Sequence, residues 1–205
     1  MQKIFSCPMV TFDVCLGMGQ KEPILGERLE RVLYDQGTIR ECIAGMGEQI
    51  ARDFDGEPLT IVAVLQGGAL FMADLIREIH LPLRIDAVSV SSYHGGTESS
   101  GTVIFLQEQL PNIEGRNVLV VDDILHTGRT LSAICSRFQK ECNPKSIRTA
   151  VLLSKKIERS VEFEADYVGF EIGNEFVVGY GLDYQEEYRN LPMIGILKEE
   201  WIGEI

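Results

Sequence analysis

Val118-Leu119-Val120-Val121-Asp122-Asp123-Ile124-Leu125-His126-Thr127-Gly128-Arg129-Thr130-Leu131 is the stretch whose reading decides the fold. Its opening apolar, largely β-branched run is the pattern of a strand buried on both faces, not of one alternating between core and solvent. The strand brings two adjacent carboxylates, Asp122 and Asp123, to its carboxyl end. A short loop with threonines and a glycine follows, and the apolar spacing then predicts a helix from about Thr130 to Lys140. Such a loop can cradle one phosphate group. Backbone N–H groups from Thr127 to Thr130, both threonine hydroxyls and the positive end of the helix dipole favour an anion there. Gly128 lets the backbone approach closely.

The two acids need a different explanation. Carboxylates beside a phosphate site repel the ligand unless they accept hydroxyl protons or face a cation, and ribose hydroxyls and Mg²⁺ meet those conditions. The sequence has no GxxxxGK[ST] here, so a triphosphate loop of the Walker type is not indicated and a sugar phosphate is the better ligand. The plainer alternative is a solvated strand end followed by a simple turn.

Outward from this stretch the pattern repeats. Leu59 to Leu65 reads as a strand ending in Gln66-Gly67-Gly68, with helical spacing from Ala69 to Ile79. Ile147 to Leu153 is another buried strand. Apolar runs alternating with helices predict a parallel sheet covered on both faces, whose ligands lie beyond the carboxyl ends of the strands. Val32-Leu33 suggests a short strand, and Thr38 with Glu41 has the form of a capping box opening a helix to about Phe54. Gly45-Met46-Gly47 within that helix lacks a preceding strand and a third glycine, so it reads as close packing. Ser91 to Gly101, rich in glycine and serine, reads as a mobile loop. Val168 to Ile172, Phe176 to Tyr180 and Ile194 to Leu197 read as short strands of a small lid-like subdomain beside the sheet.

Composition narrows the classes. The 205 residues are enough to bury a core without disulfides, and a net charge of −12 disfavours a general nucleic-acid binder. Five cysteines (Cys7, Cys15, Cys42, Cys135 and Cys142) form no CxxC pair and fit reduced thiols in a cytoplasmic protein. Neither a signal peptide nor a transmembrane segment is indicated: Asp13 interrupts the apolar stretch from Ile4 to Gly19, and Ile61 to Ile76 is too short and contains Gln66 and Asp74.

The strand, acid pair and threonine-glycine loop of Val118 to Leu131 resemble the signature of the type I phosphoribosyltransferases. The resemblance narrows to the hypoxanthine-guanine branch through Leu152-Leu153-Ser154-Lys155, Gly169-Phe170-Glu171-Ile172, the run from Phe176 to Tyr184, and Arg189. It spans roughly Val32 to Leu197. It implies an α/β fold: a parallel twisted sheet flanked by helices, with a small hood subdomain. One domain would cover 1–205, with an amino-terminal extension at 1–31, the core sheet at 36–155, and the hood and last strands at 156–205.

What the resemblance implies for function is transfer of the 5-phosphoribosyl group from phosphoribosyl pyrophosphate to hypoxanthine or guanine, with Mg²⁺ as cofactor. Thr127, Gly128, Arg129 and Thr130 would hold the 5-phosphate, and Asp122 and Asp123 the ribose hydroxyls. Lys155 would donate to the purine 6-oxo group, Phe176 stack on the base, and the Val177 backbone read its edge. Asp183 would lie at the base site and hold a magnesium ion, with Asp122 and Asp123 as further metal ligands. Gln66 and Gly67 would touch pyrophosphate, Arg189 would meet it, and Ser92-Tyr93 would belong to a loop closing over the site. The partners would be small-molecule substrates, with no nucleic acid or membrane, and the chain would be a homodimer or homotetramer.

His126 departs from the pattern, since the branch has aspartate at this position to handle the purine proton. An imidazole can accept that proton but brings no negative charge. His126 thus reads either as a replacement general base or as a loop residue whose backbone alone matters. Two further readings stay open: a phosphoribosyl-pyrophosphate-sensing regulator, which the Asp-Asp-Ile-Leu-x-Thr-Gly-Arg-Thr wording also resembles, and a transferase for another base such as xanthine.

Overall fold

The computed structural model describes residues 28–92 and 103–202. Its elements in chain order are β1 (Leu29–Tyr34), α1 (Gln36–Asp53), β2 (Leu59–Leu65), α2 (Gly68–Glu78), β3 (Leu83–Ser92), β4 (Val103–Phe105), β5 (Asn117–Leu125), α3 (Arg129–Glu141), β6 (Ser146–Lys155), β7 (Tyr167–Ile172), β8 (Val177–Val178) and β9 (Ile194–Leu197).

Six strands form one sheet in the order β4-β3-β2-β5-β6-β7. All neighbours are parallel except the edge pair β3–β4. The strands are apolar on both sides because both faces are covered. Leu119 and Val121 pack with Ile39 and Ile43 of α1 and with Phe71 and Leu75 of α2. Val118 and Val120 point the other way, into Leu131, Ile134 and Phe138 of α3. Each such burial contributes roughly 1.5–3 kcal/mol. Sequence order runs outward from the centre in both directions, through β2 to β3 on one side and through β5 to β6 and β7 on the other. The reversal between β2 and β5 is the switch point at which ligands of open α/β sheets bind.

Several expectations are revised. The α1 helix begins at Gln36, and its cap is Asp35, whose carboxylate accepts the Thr38 backbone N–H at 2.8 Å. Thr38 is therefore inside the first turn rather than the cap, because an aspartate three residues upstream satisfies the same free donor. The β5 strand does not stop at the acids; pairing with β6 continues through Ile124↔Leu153 and Leu125↔Ser154. Only residues 126–128 separate it from α3. The expected lid strand at Val168 is β7, the outermost parallel strand of the main sheet, paired with β6. The main sheet thus runs past residue 155, and the hood is the three-stranded sheet β1-β9-β8. Both ends of the described chain build that hood, since its own core of Leu29, Val178, Tyr188, Leu191 and Leu197 draws on both.

The packing role of the Gly45-Met46-Gly47 stretch is visible at Gly47, where a Cβ would lie 2.5 Å from Cβ of Glu78. Cys42, Cys135 and Cys142 are free thiols, and burial pushes Cys135 up to about 12. Cys7 and Cys15 lie outside the described residues, as do Tyr93 and most of the glycine-serine loop. No described helix is long and apolar enough to cross a membrane.

Candidate active site

Three segments remote in sequence meet at the switch point. The turn after β2 carries Gln66 and Gly67, and its Leu65–Gln66 peptide bond is cis. Gly67 faces Asp123 so closely that a Cβ would sit 1.7 Å from the carboxylate oxygen Oδ2. From the hood, Gly181, at φ +99°, lies against the carbonyl of Gly67, where a Cβ would be 2.5 Å away. A Cβ at Gly181 would meet backbone and one at Gly67 would displace the Asp123 carboxylate, so the glycines fix how near the turn after β2, the acid pair and the hood can come.

Asp122 is buried and Asp123 half-buried at the end of β5. The Asp122 carboxylate accepts the Asp123 backbone N–H at 3.0 Å. Burial, then the neighbouring Asp123 charge, hold Asp122 well above the usual carboxylate range. Burial also raises Asp123, against the opposing effects of hydrogen bonding and of the Arg189 charge. Two acids with raised proton affinity are poised to take a cation or hydroxyl protons.

Beyond Leu125 the chain turns through His126 and Thr127 to Gly128, which caps α3 at φ +80° in the left-handed region. The cap has no side-chain hydrogen bond, so the first amides of α3 depend on other partners, and an anion suits them. Thr127, Arg129 and Thr130 are partly exposed around it. His126 is exposed, and partial desolvation and the nearby Lys155 ammonium lower its imidazole below the ordinary value. Lys155, half-buried at the end of β6, is lowered by burial, with the Glu175 carboxylate opposing. Lys155 therefore stands between an imidazole and a carboxylate that its sequence neighbourhood does not announce.

On the hood, Asp183 is one arm of an ion pair. Its Oδ1 lies 2.8 Å from Nη2 of Arg189, and its Oδ2 accepts the Glu186 backbone N–H at 2.9 Å. Nη1 of Arg189 donates to the Gly181 carbonyl at 2.7 Å. Phe176 meets Tyr184 edge to face, with ring centroids 5.5 Å apart, and Val177 is buried in β8 against Ile196. Ser92 ends β3, paired with Val103 of β4.

Among the described residues no three acidic, histidine or cysteine side chains form a metal cage. Asp122, Asp123 and Asp183 thus do not make a self-sufficient site. A magnesium ion held mainly by phosphate oxygens needs only one or two carboxylates, and the buried acid pair fits that demand.

Sequence reasoning singled out the acid pair, the loop and the lysine, and it did not single out Gly181 or Glu175. Gly181 carries no local signal, because what it contacts is 114 positions away in a turn of another domain layer. Glu175 has a buried Oε2 without a hydrogen-bond partner among the described residues, a feature only coordinates reveal.

Comparison with known proteins identifies the family. The phosphoribosyl transferase domain family matches residues 32–185. A hypoxanthine-guanine phosphoribosyltransferase of Streptococcus pneumoniae is 46% identical over 177 residues, covering 86% of this chain and 98% of the relative. One from Staphylococcus aureus is 46% identical over 172 residues, covering 84% and 96%. A crystal structure of a Staphylococcus aureus hypoxanthine phosphoribosyltransferase superposes with a TM-score of 0.84 at 43% identity, covering 91% of this chain and 100% of that one. A Bacillus anthracis hypoxanthine-guanine phosphoribosyltransferase structure gives 0.78 at 42% identity, covering 83% and 99%. The chain belongs to the type I phosphoribosyltransferases, in their hypoxanthine-guanine branch.

Proposed function

We propose that this protein joins hypoxanthine or guanine to the ribose of phosphoribosyl pyrophosphate, giving IMP or GMP and pyrophosphate in purine salvage. The observation that carries the reading is the junction of Gly67, the Asp122-Asp123 pair and Gly181 at the switch point, with the capped loop of Gly128 beside it. A donor with a phosphate at one end and pyrophosphate at the other suits these two turns, with the acids between them for its ribose hydroxyls. The amides and hydroxyls of Thr127, Gly128, Arg129 and Thr130 hold the 5-phosphate. Gln66, Gly67 and Arg189 receive pyrophosphate.

A purine ring nitrogen attacks the anomeric carbon as its bond to the pyrophosphate oxygen breaks, and the bonding pair leaves with pyrophosphate. Lys155 donates to the 6-oxo group, Phe176 stacks on the ring and the Val177 backbone reads its edge. The proton shed by the purine passes to His126, whose lowered proton affinity keeps it neutral and able to accept at pH 7. Asp122, Asp123 and Asp183, together with donor oxygens, would hold Mg²⁺, which would supply positive charge to offset that of the departing pyrophosphate. Asp183 contributes there only by sharing or releasing Arg189, and that exchange would free the guanidinium for pyrophosphate.

A homodimer or homotetramer is part of this reading, supported by the exposed Ile85, Ile104 and Leu106 along the β3–β4 edge. Its cytoplasmic location rests on the unpaired thiols.

Incubation with Mg²⁺, phosphoribosyl pyrophosphate and each of hypoxanthine, guanine, xanthine and uracil tests the activity. IMP and GMP are the expected products. XMP as the main product would move the assignment to another base, which the imidazole at position 126 makes worth including. For His126, the acidic limb of the kcat/KM profile should fall below the free-histidine value of about 6.5 and disappear in His126→Asn. An unchanged limb and rate in that variant would take the imidazole out of the reaction.

A further inference from the structure

Arg159 lies in the irregular segment between β6 and β7, where a charged side chain ordinarily reaches solvent, yet its side chain is only 14% exposed. Nη2 donates to Oγ of Ser154 at 2.9 Å and Nη1 to the carbonyl of Phe163 at 2.7 Å, and the guanidinium pairs with the Glu164 carboxylate. Burying a guanidinium is costly, and its Nε is buried without a hydrogen-bond partner among the described residues. A surface loop gains little from such an arrangement unless the conformation itself is needed.

What the conformation does is visible at Gly128. The segment folded around Arg159 sets the Val161 carbonyl and the Phe163 side chain against the cap of α3: a Cβ at position 128 would lie 3.2 Å from the one and 3.1 Å from Cβ of the other. Phe163 also packs onto the core cluster beneath α3. At the other end, Ser154 adjoins Lys155 in β6. A cavity of about 510 Å³ runs beside the segment, lined by Lys155, Arg159, Val161 and Phe163 among others. On its wall the guanidinium ties the segment to itself at the Phe163 carbonyl and to β6 at Ser154.

We propose that Arg159 is a positioning residue: it folds residues 159–163 into a buttress that holds Gly128, and with it the anion-binding loop, in the shape that receives a sugar 5-phosphate. The inference rests on reading Thr127 to Thr130 as that loop. Lysine cannot replace the arginine, since a single ammonium on a flexible stem does not bridge a hydroxyl, a carbonyl and a carboxylate in fixed directions.

Ribose 5-phosphate and pyrophosphate serve as separate probes of the two ends of the donor site, titrated by calorimetry into the full chain. Arg159→Lys should weaken ribose 5-phosphate by about tenfold and leave pyrophosphate within about twofold. Ser154→Ala, which removes one of the bonds, should move in the same direction by less, and it carries the test if Arg159→Lys does not fold. A lower Tm with both affinities unchanged, or an equal loss of both, would make Arg159 ordinary structural glue and overturn the proposal. Thr130→Ala is the control for the loop itself. If it weakens ribose 5-phosphate while the Arg159 and Ser154 variants do not, only the buttress fails; if it has no effect, the loop assignment fails and the buttress with it.

Discussion

Burying a carboxylate next to another carboxylate opposes folding, and Asp122 does both. Its folded-state proton affinity is raised above the unfolded value near about 3.9, so between those two values the folded chain binds more protons than the unfolded one. Stability therefore falls as pH rises across that window and stays reduced above it. Asp122→Asn removes the charge while keeping the shape. The variant should melt at a higher temperature than the parent at neutral pH, with the advantage shrinking towards about pH 4, even as transferase activity is lost. Melting curves across pH check this; a variant no more stable than the parent at neutral pH would mean that the pair is not strained. A stability cost retained at a site of chemistry is the usual sign that the charge is needed for function. The sequence made the acid pair legible, but not its burial. The same holds for His126, whose departure from the family pattern was readable, while its closeness to Lys155 was not.

At the scale of elements, the beginning of α1 separates two readings of one short sequence. A capping box would make Thr38 the cap, whereas Asp35 accepts the Thr38 N–H. Asp35→Ala should cost about 1 kcal/mol in urea denaturation, and Thr38→Ala under about 0.5 kcal/mol. The reverse order would restore the capping box. The main strands β2, β5 and β6 were readable because burial on both faces leaves long apolar runs. The expected lid strand at Val168 to Ile172 was harder. Its partial burial, with Tyr167 and Ile172 buried and Val168 and Glu171 exposed, is that of an edge strand, and nothing local says whether it pairs with β6 or with the hood. β8 was predicted too long because Gly179-Tyr180-Gly181, all at positive φ, break the extended chain after Val178.

For the whole molecule, the site is divided between the main sheet and the hood, so a ligand touching both should stabilise their union. Phosphoribosyl pyrophosphate with Mg²⁺ at about a hundred times Kd should add about 2.7 kcal/mol of stability. A chelator should remove most of the rise in Tm if the acid pair admits the donor only with a cation. An equal rise with chelator present would remove the metal from donor binding.

From its residues alone, this protein's covered parallel sheet, its adjacent acids at a strand end, the threonine-glycine turn before a helix and the family could be read, because each is a local pattern of apolarity, charge and small residues within about a dozen positions. The tertiary structure alone decided which strands share a sheet, that Gly67 closes onto Asp123 and Gly181 onto Gly67, that Asp183 is engaged by Arg189, and that the segment carrying the buried Arg159 packs against Gly128. Those facts depend on contacts between segments tens of residues apart, whose geometry is set by packing and hydrogen bonding across the fold and leaves no periodic trace in the chain.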